Sequence, residues 1–145
     1  MNNASDFDDI LIADDDHDDV HIFSLALTEV LESATLRHAE DGGKLFEELQ
    51  VKIPDLLFLD INMPCKNGMD CIREIRQDKS YDTMPVVMFT SLQPREFVER
   101  TYRLGANFFI DKPTSVEALA MKISKVISIE WKKQMVYPSL EEYVI

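Results

Sequence analysis

Four short apolar runs, each stopped by residues a hydrophobic core cannot use, constrain this chain more than any other feature. Ile10-Leu11-Ile12-Ala13 stops at Asp14 and Asp15, Asp55-Leu56-Leu57-Phe58-Leu59 at Asp60, Pro85-Val86-Val87-Met88-Phe89 at Thr90, and Asn107 to Ile110 just short of Lys112. Apolar, partly β-branched runs of this length are the pattern of strands buried on both faces of a parallel sheet. Leu36 to Ala39 is a weaker strand of the same kind. Between the strands lie helical patterns. Val20, Phe23, Leu27 and Val30-Leu31 recur at helical spacing, Gly42 to Leu49 is a short helix broken at Ile53-Pro54, and Met69 to Asp78 sets Ile72 and Ile75 on one side. Pro94 suits the first turn of a helix that runs to Leu104 and stops at Gly105. Thr114-Ser115-Val116-Glu117 has the form of a capping box opening a last helix to about Ile129.

Five βα units in a row predict an α/β fold, an open parallel sheet with helices on both faces. Right-handed crossovers leave few topologies, and ligands sit beyond the carboxyl ends of the strands where their order reverses. Chemistry is therefore expected at Asp14, Asp15, Asp60, Thr90 and Lys112. Taken singly, each has a plainer role. Asp14 to Asp16 could cap the following helix, Asp60 could start an Asx turn, Thr90 could be an N-cap, and Lys112 could be solvated. Their joint placement on one sheet edge argues against independent accidents. Three carboxylates pushed together repel unless a cation neutralises them, and Mg²⁺ prefers oxygen ligands with one or two carboxylates, phosphate and waters. Such a site suits a phosphoryl group, whose developing charge the cation offsets.

A chain of 145 residues is sized for one domain, and its acids outnumber its bases 27 to 15, a net charge of -12. That balance argues against nucleic acid or an anionic membrane as direct partner. Asp6 to Asp9 is expected to be a solvated acidic arm. Only Cys65 and Cys71 are present, which predicts reduced thiols rather than a disulfide framework. The polar N-terminus lacks the form of a signal peptide and no apolar run reaches a membrane span, so a cytoplasmic protein is expected.

The stretches Ile10 to Asp15, Leu59-Asp60-Ile61-Asn62-Met63-Pro64 with Gly68, Phe89-Thr90-Ser91, and Phe109-Ile110-Asp111-Lys112-Pro113 closely resemble the receiver domains of two-component response regulators. The resemblance covers about Asp9 to Ile129 and implies a flavodoxin-like, doubly wound (βα)5 fold, a five-stranded parallel sheet in the order 2-1-3-4-5. It implies Asp60 as phosphoacceptor, and Mg²⁺ (or Mn²⁺) held by Asp14, Asp15, Asp60 and the backbone carbonyl of Asn62. It implies Thr90 and Lys112 as ligands of the phosphoryl oxygens, Phe109 as an aromatic switch coupled to Thr90, and a cis bond before Pro113. The implied partner is a sensor histidine kinase or phosphotransfer protein. Leu92, two residues after Thr90, cannot orient a hydrolytic water, which predicts slow self-dephosphorylation.

The expected organisation is an arm over residues 1–8, a receiver over 9–130, and an extension over 131–145 with no output domain. Trp131 to Tyr137 is expected to prolong the last helix up to Pro138. The apolar end, Tyr143-Val144-Ile145, either packs on its own domain or makes a homodimer contact. This tail and the Asp14-Asp15-Asp16-His17-Asp18-Asp19 run also resemble stand-alone, phytochrome-associated receivers. His17, His21 and His38 are expected on the surface. Three rival functions fit the residues less well. An aspartate-nucleophile phosphatase would want an acid where Asn62 stands, a flavin binder would want a phosphate-cradling loop where the acids stand, and a binding-only receiver would not need the full residue set. The expectation is a phosphoacceptor signalling domain rather than an enzyme.

Overall fold

The structure, a computed structural model, describes residues 7–91, 93–131 and 136–145. Five parallel strands, β1 (Asp9–Ala13), β2 (Thr35–Ala39), β3 (Leu56–Leu59), β4 (Val86–Thr90) and β5 (Phe108–Asp111), lie in the order β2-β1-β3-β4-β5. Helices α1 (His17–Val30), α2 (Gly42–Val51), α3 (Gly68–Gln77), α4 (Arg95–Leu104) and α5 (Val116–Ile127) fill the crossovers, and a short α6 (Leu140–Tyr143) follows.

The strand side chains alternate between two cores, which explains why the central runs are continuously apolar. Ile10, Ile12, Leu56, Phe58, Val87, Phe89, Phe108 and Ile110 join α1 and α5 on one face. Leu11, Leu57, Leu59, Val86, Met88 and Phe109 join α2 and α3 on the other. Phe23, Phe58 and Phe89 form an edge-to-face trio in the first core, with centroids 4.7 to 6.3 Å apart. Strand β1 pairs with β2 on one side and β3 on the other, so the order reverses there and opens a crevice at the carboxyl ends of β1 and β3.

Local signals hold with adjustments. Asp16 caps α1 by accepting from the N–H groups of Asp18 and Asp19, and Gly105 ends α4 with left-handed φ of 106°. Pro94 stands at the N-cap of α4, one position before the helix. The expected capping box does not form. Ser115, not Thr114, is the N-cap of α5 and accepts from Ala118 N–H, which leaves Glu117 one position early for the reciprocal bond. The last helix ends at Ile127 and Trp131 lies outside it, so it is not prolonged there. Trp131 instead folds back, its indole N–H donating to the Val126 carbonyl and its ring meeting Phe108 edge-on. Residues 132–135 of that expected extension lie outside the described residues.

Of the expected acidic arm, residues 1–6 lie outside the described residues and Asp8 is exposed, but its neighbours are not. Phe7 is buried in the α1–α5 core, and Asp9 is buried as the first residue of β1 in a two-bond ion pair with Arg37 (2.9 Å each). The apolar end packs on its own domain: Tyr143 is wholly buried and Val144 bridges Phe109 in parallel. No helix among the described residues is long and apolar enough to cross a membrane.

Candidate functional site

Strand geometry delivers the expected residues to one place. Asp60 N–H donates to the Ala13 carbonyl and Asp14 N–H to the Ala39 carbonyl, so the two carboxylates leave adjacent strand ends side by side. Asp14, Asp15 and Asp60 each offer a carboxylate oxygen within 4.8 Å of the others, with Asp14 and Asp60 buried and Asp15 exposed. Thr90, wholly buried at the end of β4, donates its hydroxyl to Asp60 Oδ1 at 2.6 Å. Lys112 Nζ donates to Asp60 Oδ2 at 3.2 Å, so the two oxygens of Asp60 face different donors. Asn62 N–H reaches Asp60 Oδ1 at 3.3 Å, which folds the loop back over the site. Phe109 is fully buried, turned inward on the sheet face that also carries Met88.

Lys112 is the centre of the charge balance. Its ammonium also donates to Asp19 Oδ2 at 2.8 Å and lies 2.8 Å from Asp14 Oδ2. Burial alone would lower its pKa, but the carboxylates of Asp14 and Asp19 and the charge of Asp60 outweigh burial and raise it. The Lys112 ammonium is the partner of Asp14 Oδ2, which is buried and has no second donor among the described residues. Burial accordingly pushes the Asp14 carboxyl up to about 6, and the charge of Asp60 adds to the rise. Lys112 and the Asp16 N–H pull the other way. An under-satisfied buried carboxylate oxygen beside two further carboxylates is a donor set for a hard divalent cation. The cluster can hold a metal ion.

The expected cis bond before Pro113 is corrected: no cis peptide occurs among the described residues, so Lys112–Pro113 is trans. The trans form is the default, and Lys112 reaches the carboxylates without the rarer isomer because its N–H is fixed to the Thr90 carbonyl at 2.8 Å. Two neighbours were not anticipated. Asp19, in the first turn of α1, is turned toward the site and bonds Lys112. His38, expected on the surface, is half-buried with Nε2 2.7 Å from the Asp14 carbonyl, so Nε2 carries the proton and steadies that strand end. His17 and His21 are exposed as expected.

The loop after Asp60 depends on Gly68, whose N–H donates to the Ile61 carbonyl at 2.8 Å. A Cβ at Gly68 would lie inside the Asp60 carbonyl and 2.8 Å from Ile61 Cα, both backbone atoms that cannot swing aside. Gly68→Ala is expected to cost about 1–3 kcal/mol through overpacking, and to lower the urea midpoint with little change in slope. An unchanged midpoint would show that the loop yields. Cys65, in the same loop, is exposed with a left-handed φ of 69°, whereas burial pushes the Cys71 thiol up to about 12 and leaves it unreactive near neutral pH.

A doubly wound parallel sheet carries three carboxylates, a hydroxyl and an ammonium at its switch point. The Response regulator receiver domain family model matches residues 10–124, and the chain belongs to that family. The transcriptional regulatory protein KdpE of Staphylococcus aureus is 31% identical over 114 residues, which cover 79% of this chain and 47% of KdpE. The chain thus spans about half the length of that relative. A chemotaxis protein CheY homolog of Campylobacter jejuni is 30% identical over 120 residues, covering 81% of this chain and 91% of the homolog. Among solved structures, the phosphorylated cyanobacterial phytochrome response regulator RcpA aligns with TM-score 0.78 at 23% identity, over 92% of this chain and 99% of RcpA, a likeness of fold.

Proposed function

We propose that this receiver accepts a phosphoryl group on Asp60 from a sensor histidine kinase or phosphotransfer protein and answers by changing a protein-binding surface. The observation that carries this reading is the distribution of donors on Asp60. Thr90 holds one carboxylate oxygen and Lys112 the other, while the carboxylates of Asp14 and Asp15 offer oxygens within 4.8 Å. Asp14, Asp15, Asp60 and the backbone carbonyl of Asn62 hold Mg²⁺ or Mn²⁺ in this reading. When bound, the cation neutralises charge on the transferring phosphoryl group.

The reaction asks little covalent chemistry of the protein. An Asp60 oxygen forms a bond to phosphorus as the P–N bond to the donor histidine breaks, and the departing imidazole keeps the electron pair and takes a proton from solvent. The Lys112 ammonium and Thr90 hydroxyl then move from the carboxylate to the new phosphoryl oxygens. Their added charge-assisted bonds stabilise the modified state. Thr90 and Phe109 act as a linked two-state element, the hydroxyl drawn toward the phosphoryl group and the ring turned inward. Residues 9–130 form the receiver and 131–145 its extension, acting in the cytoplasm. Leu92, on which slow self-dephosphorylation rests, lies outside the described residues.

The test is intact mass after incubation with acetyl phosphate and Mg²⁺. A single phosphoryl adduct is expected, absent with EDTA and absent in Asp60→Asn. An adduct that persists in Asp60→Asn would move the acceptor elsewhere. Failure of both acetyl phosphate and the phosphoryl mimic beryllofluoride to bind wild type would remove the reading.

A further inference from the structure

The contacts of segment 136–145 converge on Phe109. Ile145 N–H donates to the Phe109 carbonyl at 2.9 Å, and Val144 bridges the same residue. Tyr143 sets its ring 5.9 Å from that of Phe109 and 5.1 Å from that of Tyr102, and its hydroxyl lies 2.8 Å from Thr101 Oγ1 inside α4. Two further bonds fasten the approach to this position: Tyr102 OH donates to the Pro138 carbonyl and Asn107 Nδ2 to the Val136 carbonyl, both at 2.7 Å. The tail therefore ties α4 and β5 together around the Phe109 ring.

Phe109 and Thr90 share a sheet face. Met88 is in register with Phe109 and Thr90 with Asp111, and residues two apart on a strand point the same way. Thr90 is bonded to Asp60 and Phe109 is fully buried. This is the arrangement that phosphorylation is proposed to favour. Tyr143 is the tail side chain packed on the Phe109 ring.

We infer that Tyr143 is a positioning residue for the switch: the docked tail holds Phe109 inward and Thr90 at Asp60, so tail and phosphoryl group favour the same state. The inference rests on the reading of Asp60 as phosphoacceptor. Without the Tyr143 ring, Phe109 loses packing on one side and an outward rotamer becomes competitive. Thr90 is then held at Asp60 a smaller fraction of the time, and a phosphoryl mimic must supply the difference. Linkage makes the effect reciprocal, because a tail that strengthens binding of the mimic must itself be tightened by it.

Two measurements on the full chain test this. The first is beryllofluoride affinity in the presence of Mg²⁺ for wild type, Tyr143→Ala and Tyr143→Phe. The second is amide exchange of Ile145 in wild type with and without the mimic, which needs no variant to fold. Affinity is expected to fall roughly ten-fold in Tyr143→Ala, within the usual range of coupling between sites, and to be largely kept in Tyr143→Phe, which retains the ring. Ile145 exchange in wild type should slow by a similar factor when the mimic binds. Equal affinity in Tyr143→Ala, tighter affinity in Tyr143→Ala, or unchanged Ile145 exchange would each overturn the coupling while leaving Asp60 as acceptor. Wild type that fails to bind the mimic would overturn the acceptor reading itself.

Discussion

Asp14→Asn is expected to make the metal-free protein more stable than wild type at neutral pH, by about 3 kcal/mol, and no more stable at pH 3.5. The cause is the burial of a carboxylate that the Lys112 ammonium only partly offsets. In the unfolded chain this carboxyl titrates near 3.8, and in the fold burial pushes it up to about 6. Below 3.8 both states hold the proton and the site carries no penalty. As pH rises through the window from 3.8 to 6, the unfolded chain releases its proton first, and stability is lost until the folded site has also ionised. A displacement of that size corresponds to about 3 kcal/mol at pH 7. Asparagine stays neutral throughout and avoids the loss. Urea unfolding in EDTA at pH 3.5, 5 and 7 checks the trend, and equal stabilities at pH 7 would show that Lys112 already relieves the carboxylate. Mg²⁺ at a hundred-fold excess over its Kd is expected to narrow the gap, adding about 2.7 kcal/mol to wild type and less to Asp14→Asn.

Arg76→Met is expected to destabilise the protein by about 3–5 kcal/mol, more than any surface ion pair could. The guanidinium donates to the carbonyls of Gly105, Tyr81 and Met84 and to Asn107 Oδ1, all at 2.8 to 3.0 Å. These acceptors are neutral, and burial lowers the Arg76 pKa, yet the planar fork satisfies four groups at once. Methionine would leave three half-buried backbone carbonyls without this donor, each worth about 1–3 kcal/mol. Asn107 would keep its bond from Val86 N–H but lose the guanidinium that orients its amide. By contrast, the exposed pairs Arg95–Glu99 and Arg73–Asp70 are worth about 0–1 kcal/mol each. Arg76→Lys should recover little, because one ammonium cannot span the four acceptors. A loss below about 1 kcal/mol in either variant would show that water replaces the fork.

What could be read from the sequence follows from range. The central strands are marked by their own composition, and each functional residue sits directly after one, so Asp14, Asp60, Thr90 and Lys112 were visible without knowing which strands pair. Residues whose role depends on distant partners were not. Arg76 has the spacing of an ordinary helix residue, and nothing local shows that it bonds Gly105 and Asn107 from another βα unit. His38 looks like any polar residue of an edge strand until β2 is placed beside β1. The course of the tail was open because an apolar end fits its own domain and a second copy equally well on composition. The bond before Pro113 failed as an expectation because it came from resemblance alone, with no local residue requiring it.

The bridge between Val144 and Phe109 has a consequence for solubility. An open sheet leaves two edge strands whose unpaired backbone groups can template another molecule's strand. Here the β5 edge is partly closed by the chain itself, with Ile145 N–H taking up the Phe109 carbonyl. The β2 edge is half-exposed but carries Arg37, bound back to Asp9, Glu48 and the Lys52 carbonyl. A fixed charge beside one ladder and a covering segment beside the other make edge-to-edge pairing of two sheets unfavourable, so removal of residues 140–145 should raise aggregation as well as expose Phe109.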